Sequence, residues 1–223
     1  HCGGGAGPVR AFTLSGDQNL SVSTTLSGTS GENLPPAGGD GSSGNPYVYT
    51  WAGSRESANL DLQGYNIWTG GPDPGAEISF VLDLNGGSVA GSGSYAADLY
   101  RTVFGACPSG SATISNVGSV AMGAIRTSTS DRMGYGAPAP AGRVTIGSAG
   151  NRAGSVRVDS IQASSLETGG DGGAVGIYSS GSIVIGSSGG VPGALDTSSA
   201  GNGGSVDLRS LGPLSAGAIK TST

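Results

Sequence analysis

Charge is scarce in this chain of 223 residues, and lysine is almost missing. Charged residues make up 11% of the sequence, Lys220 is its only lysine, and the formal net charge is −5. Contacts with phosphates need clustered cations, so the composition argues against a nucleic-acid partner. No apolar run approaches the roughly 18 residues that a membrane helix needs, and we expect no membrane span.

Histidine and cysteine are too few for most catalytic and metal sites. His1 is the only histidine, and Cys2 and Cys107 are the only cysteines. A Ser–His nucleophile pair would have to use this terminal histidine, and a metal cluster of His and Cys cannot form. We therefore expect no catalytic residue, no metal, no cofactor and no enzymatic activity. The two cysteines fit one disulfide in an oxidising, extracellular setting, and the alternative is two unpaired thiols.

Glycine is abundant instead, with 45 residues, and it is part of a repeat. Each interior glycine costs a helix about 1 kcal/mol, so we expect strands. A string of the form Gly-x-apolar-x-apolar starts at Gly110, Gly142, Gly173 and Gly204, with intervals of 32, 31 and 31 residues. Two further apolar strings follow each of these. The second strings start at Gly118, Gly154, Gly181 and Gly212, and the third at Ala124, Ser160, Ala194 and Ala218.

Three constant strings with extra residues only between them are typical of a solenoid. The alternation within each string places every second side chain inside, so that equivalent residues stack in columns. One such stack is Val144, Val175 and Val206, beside Ile146, Ile177 and Leu208. We predict an all-β fold, a parallel β-helix with three short strands per coil and a rise of about 4.8 Å per coil. An antiparallel sandwich is the alternative, and tight turns with positive φ would explain the corner glycines.

The run Gly169-Gly-Asp-Gly-Gly173, the later Gly201-Asn-Gly-Gly204 and the closing Ala-Ile-Lys-Thr-Ser string carry a family likeness. Over residues 110–223 the chain resembles the repeat region of filamentous-haemagglutinin-type secreted adhesins. This resemblance implies a right-handed β-helix, export to the cell surface and no catalysis.

The N-terminal half is less regular. We expect a flexible arm at 1–7, irregular solenoid coils with long loops at 8–109 and regular coils at 110–223, all in one continuous domain. Most aromatic residues precede residue 110, and five of them form a candidate ligand-binding surface: Tyr47, Tyr49, Trp51, Tyr65 and Trp68. Exposed aromatics would stack on surface glycans, whereas the alternative is that they fill the core.

Several polar features have two interpretations. Asp171 within its glycine run suggests a calcium site or a simple glycine-rich corner. Threonines recur in the third strings, in the columns Thr127, Ala163, Thr197, Thr221 and Thr129, Ser165, Ser199, Thr223. At an outward or corner position they would form an ice-binding array or hydroxyl ladders that support stacking. Asp196 beside Lys220 would form a cross-coil ion pair.

The last unit keeps the apolar pattern, and this indicates an assembly edge. An uncovered coil presents unpaired N–H and C=O groups that invite pairing. The edge residues are Val206, Leu208, Leu214, Ile219 and Thr221. We expect head-to-tail self-association of a secreted structural solenoid, as an extracellular filament subunit or adhesin module. The alternatives are a carbohydrate-binding surface protein, an ice-binding solenoid and a polysaccharide-active enzyme, whose outward acids Asp159, Asp196 and Asp207 would lie in different strings.

Overall fold

The computed structural model describes the chain at two levels. Backbone and side chains are described at 86–96, 110–129, 140–166 and 169–222, and for Leu82. The other described residues are strand segments between 13 and 83, at 99–100 and at Ser130, for which the backbone alone is described. These residues contain strands and turns but no helix, so no helix in this part of the chain could cross a membrane.

Three seven-stranded sheets form the fold. The first sheet contains β3 (Leu26–Ser27), β4 (Tyr47–Gly53), β7 (Ile78–Asp83), β11 (Ala112–Ser115), β15 (Val144–Ile146), β18 (Val175–Ser179) and β21 (Val206–Ser210). The second contains β2 (Ser21–Val22), β5 (Leu60–Asp61), β8 (Ser88–Ala90), β12 (Ser119–Met122), β16 (Ser155–Val158), β19 (Ile183–Ile185) and β22 (Leu214–Ala216). The third contains β1 (Thr13–Ser15), β6 (Asn66–Trp68), β9 (Tyr95–Ala96), β13 (Ile125–Arg126), β17 (Ile161–Gln162), β20 (Leu195–Asp196) and β23 (Ile219–Lys220). A short fourth ladder joins β10 (Leu99–Tyr100) to β14 (Thr129–Ser130).

From β4 onward, each coil visits the first, second and third sheets in turn, and every pairing between coils is parallel. Val144 pairs with Val175, which pairs with Val206, as the repeat predicts. In the second and third strings, residues at equivalent positions of the repeat are likewise paired between neighbouring strands. The predicted parallel β-solenoid with three strands per coil is therefore confirmed.

A single apolar core runs along the axis. The inward columns are almost fully buried, with Val144, Ile146, Ile177 and Ile183 each 0% exposed. Their outward neighbours along the strands are more accessible, which is the alternation expected of a half-buried strand. The same columns continue through residues of at least four successive coils and form one connected cluster.

The first three strands run in the opposite direction. β3 pairs with β4, β2 with β5 and β1 with β6, and each of these pairings is antiparallel. The chain thus visits the third, second and first sheets before it turns and winds back through them. We call β1 to β3 the reversed coil. The sequence predicts irregular coils over residues 8–109, and the strand pattern alone carries no sign of this reversal.

The glycines that open the repeat strings are not required for positive φ, which was the reason that the sequence suggested. Positive φ occurs among the described glycines at 86, 91, 147, 169, 186 and 190, none of which opens a repeat string. A Cβ on Gly173 would instead overlap the carbonyl oxygen of Gly142, and one on Gly204 would overlap that of Gly173. The strings begin with glycine because the backbones of successive coils approach too closely there for a side chain.

A reciprocal pair of hydrogen bonds closes two of the corners between one coil and the next. Thr127 Oγ1 donates to the carbonyl oxygen of Gly142 at 2.8 Å, while the Gly142 N–H donates to the Thr127 carbonyl at 2.9 Å. Thr197 and Gly204 repeat the pair at 2.8 Å for both bonds. We call this pair the Thr–Gly clip. Its geometry is kept although 14 residues separate the first pair and 6 the second.

In the inner coils the threonine columns lie inside the corner, not on the surface. Thr127, Ala163 and Thr197 are each 0% exposed. In the neighbouring column, Thr129 Oγ1 donates to Ser165 Oγ at 3.0 Å, so these hydroxyls do form a cross-coil ladder. The hydroxyls of Thr127, Thr129 and Thr197 bond to protein groups in the interior. Of the two positions that the sequence allowed for these threonines, outward or corner, the outward one is therefore wrong.

Candidate functional site: the open edge of the last coil

The strands β21, β22 and β23 form the last described coil, and two of its inward residues, Leu214 and Ile219, are exposed. Leu214 follows Val156 and Ile183 in one column of the second sheet, and Ile219 follows Ile161 and Leu195 in the third. Ile183 and Leu195 are 0% exposed, whereas Leu214 is 48% and Ile219 is 47% exposed. The side chains are equivalent in position and differ only in whether a further coil covers them.

The remaining predicted edge residues lie in the same coil. Val206 and Leu208 are partly buried and pack against the core. Thr221 is exposed, although it follows the buried Thr197 in its column. The structure therefore brings all five predicted residues together on one face at the end of the described solenoid. That this face serves in assembly stays a prediction.

Every second residue of β21 forms its backbone hydrogen bonds with β18. Val175 N–H donates to the Ser205 carbonyl at 2.8 Å, and Leu211 N–H donates to the Ser179 carbonyl at 3.2 Å. In this parallel register the odd-numbered residues of the strand point their N–H and C=O groups at β18. The N–H and C=O groups of Val206, Leu208 and Ser210 consequently point away from β18.

A polar cluster on the outer face borders this edge, and the sequence did not predict it. Tyr178 O–H donates to Asp207 Oδ2 at 2.8 Å, and Arg209 Nε donates to Asp207 Oδ1 at 2.8 Å. The Arg209 guanidinium also lies 5.8 Å from the centre of the Tyr178 ring. Tyr178 and Arg209 occupy register-paired positions one coil apart, so the 31-residue period could have revealed the contact.

Arg152 ties three coils together beside this cluster. Its Nη1 donates to the Ser179 carbonyl at 3.3 Å and to the Arg209 carbonyl at 3.2 Å. The hydrogen bond from Arg209, followed by that from Tyr178, lowers the pKa of Asp207 below its ordinary range. The hydrogen bond to Asp207 is also the main cause that raises the pKa of Tyr178. The cluster holds an ionised aspartate on an exposed surface and fastens the last coil to the one before it.

The other polar predictions have mixed outcomes. Asp171 Oδ1 accepts from the N–H of Asn202 at 2.8 Å and from its Nδ2 at 3.0 Å, so the glycine-rich corners of two coils bond to each other. The described residues contain no group of three or more His, Cys, Asp or Glu that could hold a metal. Asp196 and Lys220 are register partners, but the Asp196 carboxylate accepts from Ser198 and not from the lysine, so that predicted ion pair is wrong.

The aromatic candidates are described only in part. In β4, Tyr49 pairs with Phe80, and Trp51 pairs with Leu82. Leu82 is 2% exposed and belongs to the column of Ile114 and Ile146, so Trp51 occupies a register position of the core. Tyr47 lies on the same strand, and Trp68 pairs with the buried Ala96. The side chains of these aromatics lie outside the described residues, as do Tyr65, Cys2 and Cys107 altogether.

The fold defines the described part of the chain as a parallel β-solenoid whose reversed coil pairs antiparallel with the coil formed by β4, β5 and β6. No protein-family model, no curated protein and no solved structure matches it.

Proposed function

We propose that the chain is a non-enzymatic structural protein, an extracellular filament subunit or adhesin module that associates through its last coil. The fold and the repeat strings support this proposal together with the likeness to filamentous-haemagglutinin-type adhesins. A β-solenoid grows by adding coils along one axis, and each coil needs a neighbour to bury its apolar columns. Such a module is suited to span distance and to join end to end.

The continuation of the buried columns into Leu214 and Ile219 of the last described coil is the observation that carries the proposal. Each occupies a column whose inner members are fully buried, so an end-on contact would restore the packing that the inner coils have. Burial of an apolar side chain of this size contributes about 1.5–3 kcal/mol, and the two edges of a contact supply several such side chains. Leu211, 75% exposed at the neighbouring corner, adds to the apolar surface.

Sedimentation of the purified chain over a range of concentrations tests the proposal. We expect association for the unchanged chain and its loss in the variant Leu214→Lys/Ile219→Lys, since two cations would be buried without partners. Leu166→Lys is the matched control, because Leu166 is 69% exposed but belongs to an inner coil. A monomer at every concentration, or equal loss of association in the control, would contradict the proposal.

Two other functions have less support. Stacking of surface glycans on Tyr47, Tyr49, Trp51, Tyr65 and Trp68 is weakened by the register of β4, which gives Tyr49 and Trp51 positions in line with core columns. Binding to ice through the threonine columns is weakened by the burial of Thr127, Thr129 and Thr197. We therefore propose self-association in the head-to-tail stack that the sequence predicts.

A further inference from the structure

We infer that Arg152 is a strap between coils that are not neighbours, so that the coils of β15, β18 and β21 open and close as one unit. In most solenoids each repeat contacts only the repeats beside it, and stability is a sum of single-coil and nearest-neighbour contributions. A side chain that bonds across an intervening coil adds a contribution of a different kind. The inference goes beyond the proposed function and holds whether or not the chain associates.

The hydrogen bonds of Arg152 reach two further coils. Its Nη1 donates to the Ser179 carbonyl at 3.3 Å and to the Arg209 carbonyl at 3.2 Å, at sequence separations of 27 and 57 residues. Ser179 ends β18, one coil beyond Arg152, and Arg209 lies in β21, two coils beyond it. The strand ladder pairs β15 with β11 and β18. The bond to Arg209 is therefore a direct link that strand pairing does not provide.

An enlarged corner supplies this arm. The corner between β15 and β16 has eight residues, 147–154, whereas the corners after β11, β18 and β21 have three each. The extra residues form a tight turn closed by reciprocal hydrogen bonds between Ser148 and Asn151. On the other side of Arg152, the fully buried Ala153 donates its N–H to β18. The backbone is thus held on both sides of Arg152, which restricts the directions that its side chain can take.

The guanidinium is suited to this double contact. One Nη carries two N–H groups, so a single nitrogen serves both carbonyls, and its positive charge strengthens each hydrogen bond. The Ser179 carbonyl also accepts from the Leu211 N–H at 3.2 Å, so Arg152 binds where β21 leaves its pairing with β18. Ser179 is buried and Arg152 is half-buried, so water competes less for these bonds than it would on an open surface.

Arg209 connects the strap to the cluster on the outer face. Its carbonyl accepts from Arg152, while its side chain donates to Asp207. Asp207 in turn accepts from Tyr178 of the preceding coil. Separation of β21 from β18 must therefore break the strap and this cluster in addition to the ladder. A disturbance of β21 is transmitted directly to the corner that follows β15.

Hydrogen exchange in a double-variant design tests this coupling. Leu208→Ala weakens β21, because Leu208 packs against the core. The readout is the Val144 N–H of β15, which donates to the Ala174 carbonyl at 2.9 Å and is followed by nuclear magnetic resonance. With Arg152 in place, we expect Leu208→Ala to speed exchange at Val144 at least threefold. In the Arg152→Met background the same substitution should leave this rate nearly unchanged, because the direct link is gone.

Arg157→Met is the matched control. Arg157 belongs to β16 in the same coil, and its side chain makes neither of the two contacts. In this background the response of Val144 should be as large as in the parent. Arg152→Lys is measured as a second variant, since lysine keeps the charge but lacks the rigid fork of donors, and we expect a reduced response. Circular dichroism checks the strand content, and Arg152→Lys gives the comparison if Arg152→Met does not fold.

The outcomes are independent of self-association, because all samples are kept below the concentration at which the chain associates. A response at Val144 that requires Arg152 and not Arg157 supports the strap. Equal responses in the parent and the Arg152 variants, equal losses in the Arg152 and Arg157 variants, or no response in the parent would overturn it. None of these results touches the proposed function, and a chain that stays monomeric would contradict that proposal without affecting the strap.

Discussion

The inner coils and the last described coil have the same sequence pattern and pair in continuous register, yet their side chains are in different environments. Ile183 and Leu214 are register partners in one column, and the first is 0% and the second 48% exposed. Leu195 and Ile219 differ in the same way in the third sheet. In a solenoid, the burial of an inward side chain therefore depends on whether coils lie on both sides of it. The sequence of the coil decides only which side chains face inward.

The largest expected effect separates these two regions directly. Ile183→Ala removes a fully buried side chain that neighbours on both sides enclose, and we expect a loss of about 2–5 kcal/mol in the free energy of unfolding. Leu214→Ala in the same column should cost the isolated monomer about 1 kcal/mol or less, since water already reaches half of this side chain. Denaturant titration at a concentration below the onset of association measures both, and equal losses would contradict the comparison.

A smaller loss of stability is expected from a substitution where the backbones of successive coils approach closely. Gly173→Ala would press a methyl group against the carbonyl of Gly142, and we expect about 1–3 kcal/mol of destabilisation from the forced shift. Gly150→Ala is the matched control, because a Cβ at that position meets no atom within 4 Å. Thermal unfolding of the two variants compares them. A loss of similar size in the control would show that chain entropy or turn geometry, and not the contact between coils, sets the requirement for glycine.

The smallest expected effect on stability concerns the Thr–Gly clip, which two of the inner corners have and the corner at Ala163 lacks. Ala163 occupies the column of Thr127 and Thr197 but lacks their hydroxyl, and the Gly173 N–H still donates to its carbonyl at 2.8 Å. Ala163→Thr should complete a third Thr–Gly clip and stabilise the fold by about 1 kcal/mol, the usual net contribution of one hydrogen bond. A rise in the unfolding midpoint would support this, whereas destabilisation would indicate that the added methyl group does not fit.

Much of the fold could be predicted because each coil of a parallel solenoid has the same sequence pattern as the coil on which it stacks. The positions of Gly142, Gly173 and Gly204 gave the period, and alternation gave the inward columns headed by Val144 and Ile146. The direction of β1 to β3 could not be predicted in this way, because an alternating string has the same pattern whichever way its strand runs.

The candidate site was predictable to a smaller extent. The repeat predicted that Leu214 and Ile219 of the last unit continue the inward columns, which the register confirms. The 31-residue period places Tyr178 opposite Arg209, but the hydrogen bonds of both to Asp207 depend on side-chain rotamers, which a period does not specify. The Asp196–Lys220 pair failed for a related reason. Ser198, two residues along the chain, offers the carboxylate two nearby donors, and local hydrogen bonds of this kind compete well with longer-range pairs.

The reversed coil sets an order of events for synthesis and folding. Thr13 pairs with Trp68 across a long stretch of chain, so β1 cannot be paired until β6, the third strand of the first forward coil, has been made. Every later coil needs only its predecessor, at a distance of about one period. Closing this initial loop costs about 0.5 kcal/mol more in chain entropy than closing one period, and subsequent coils can be added one by one as the polypeptide emerges.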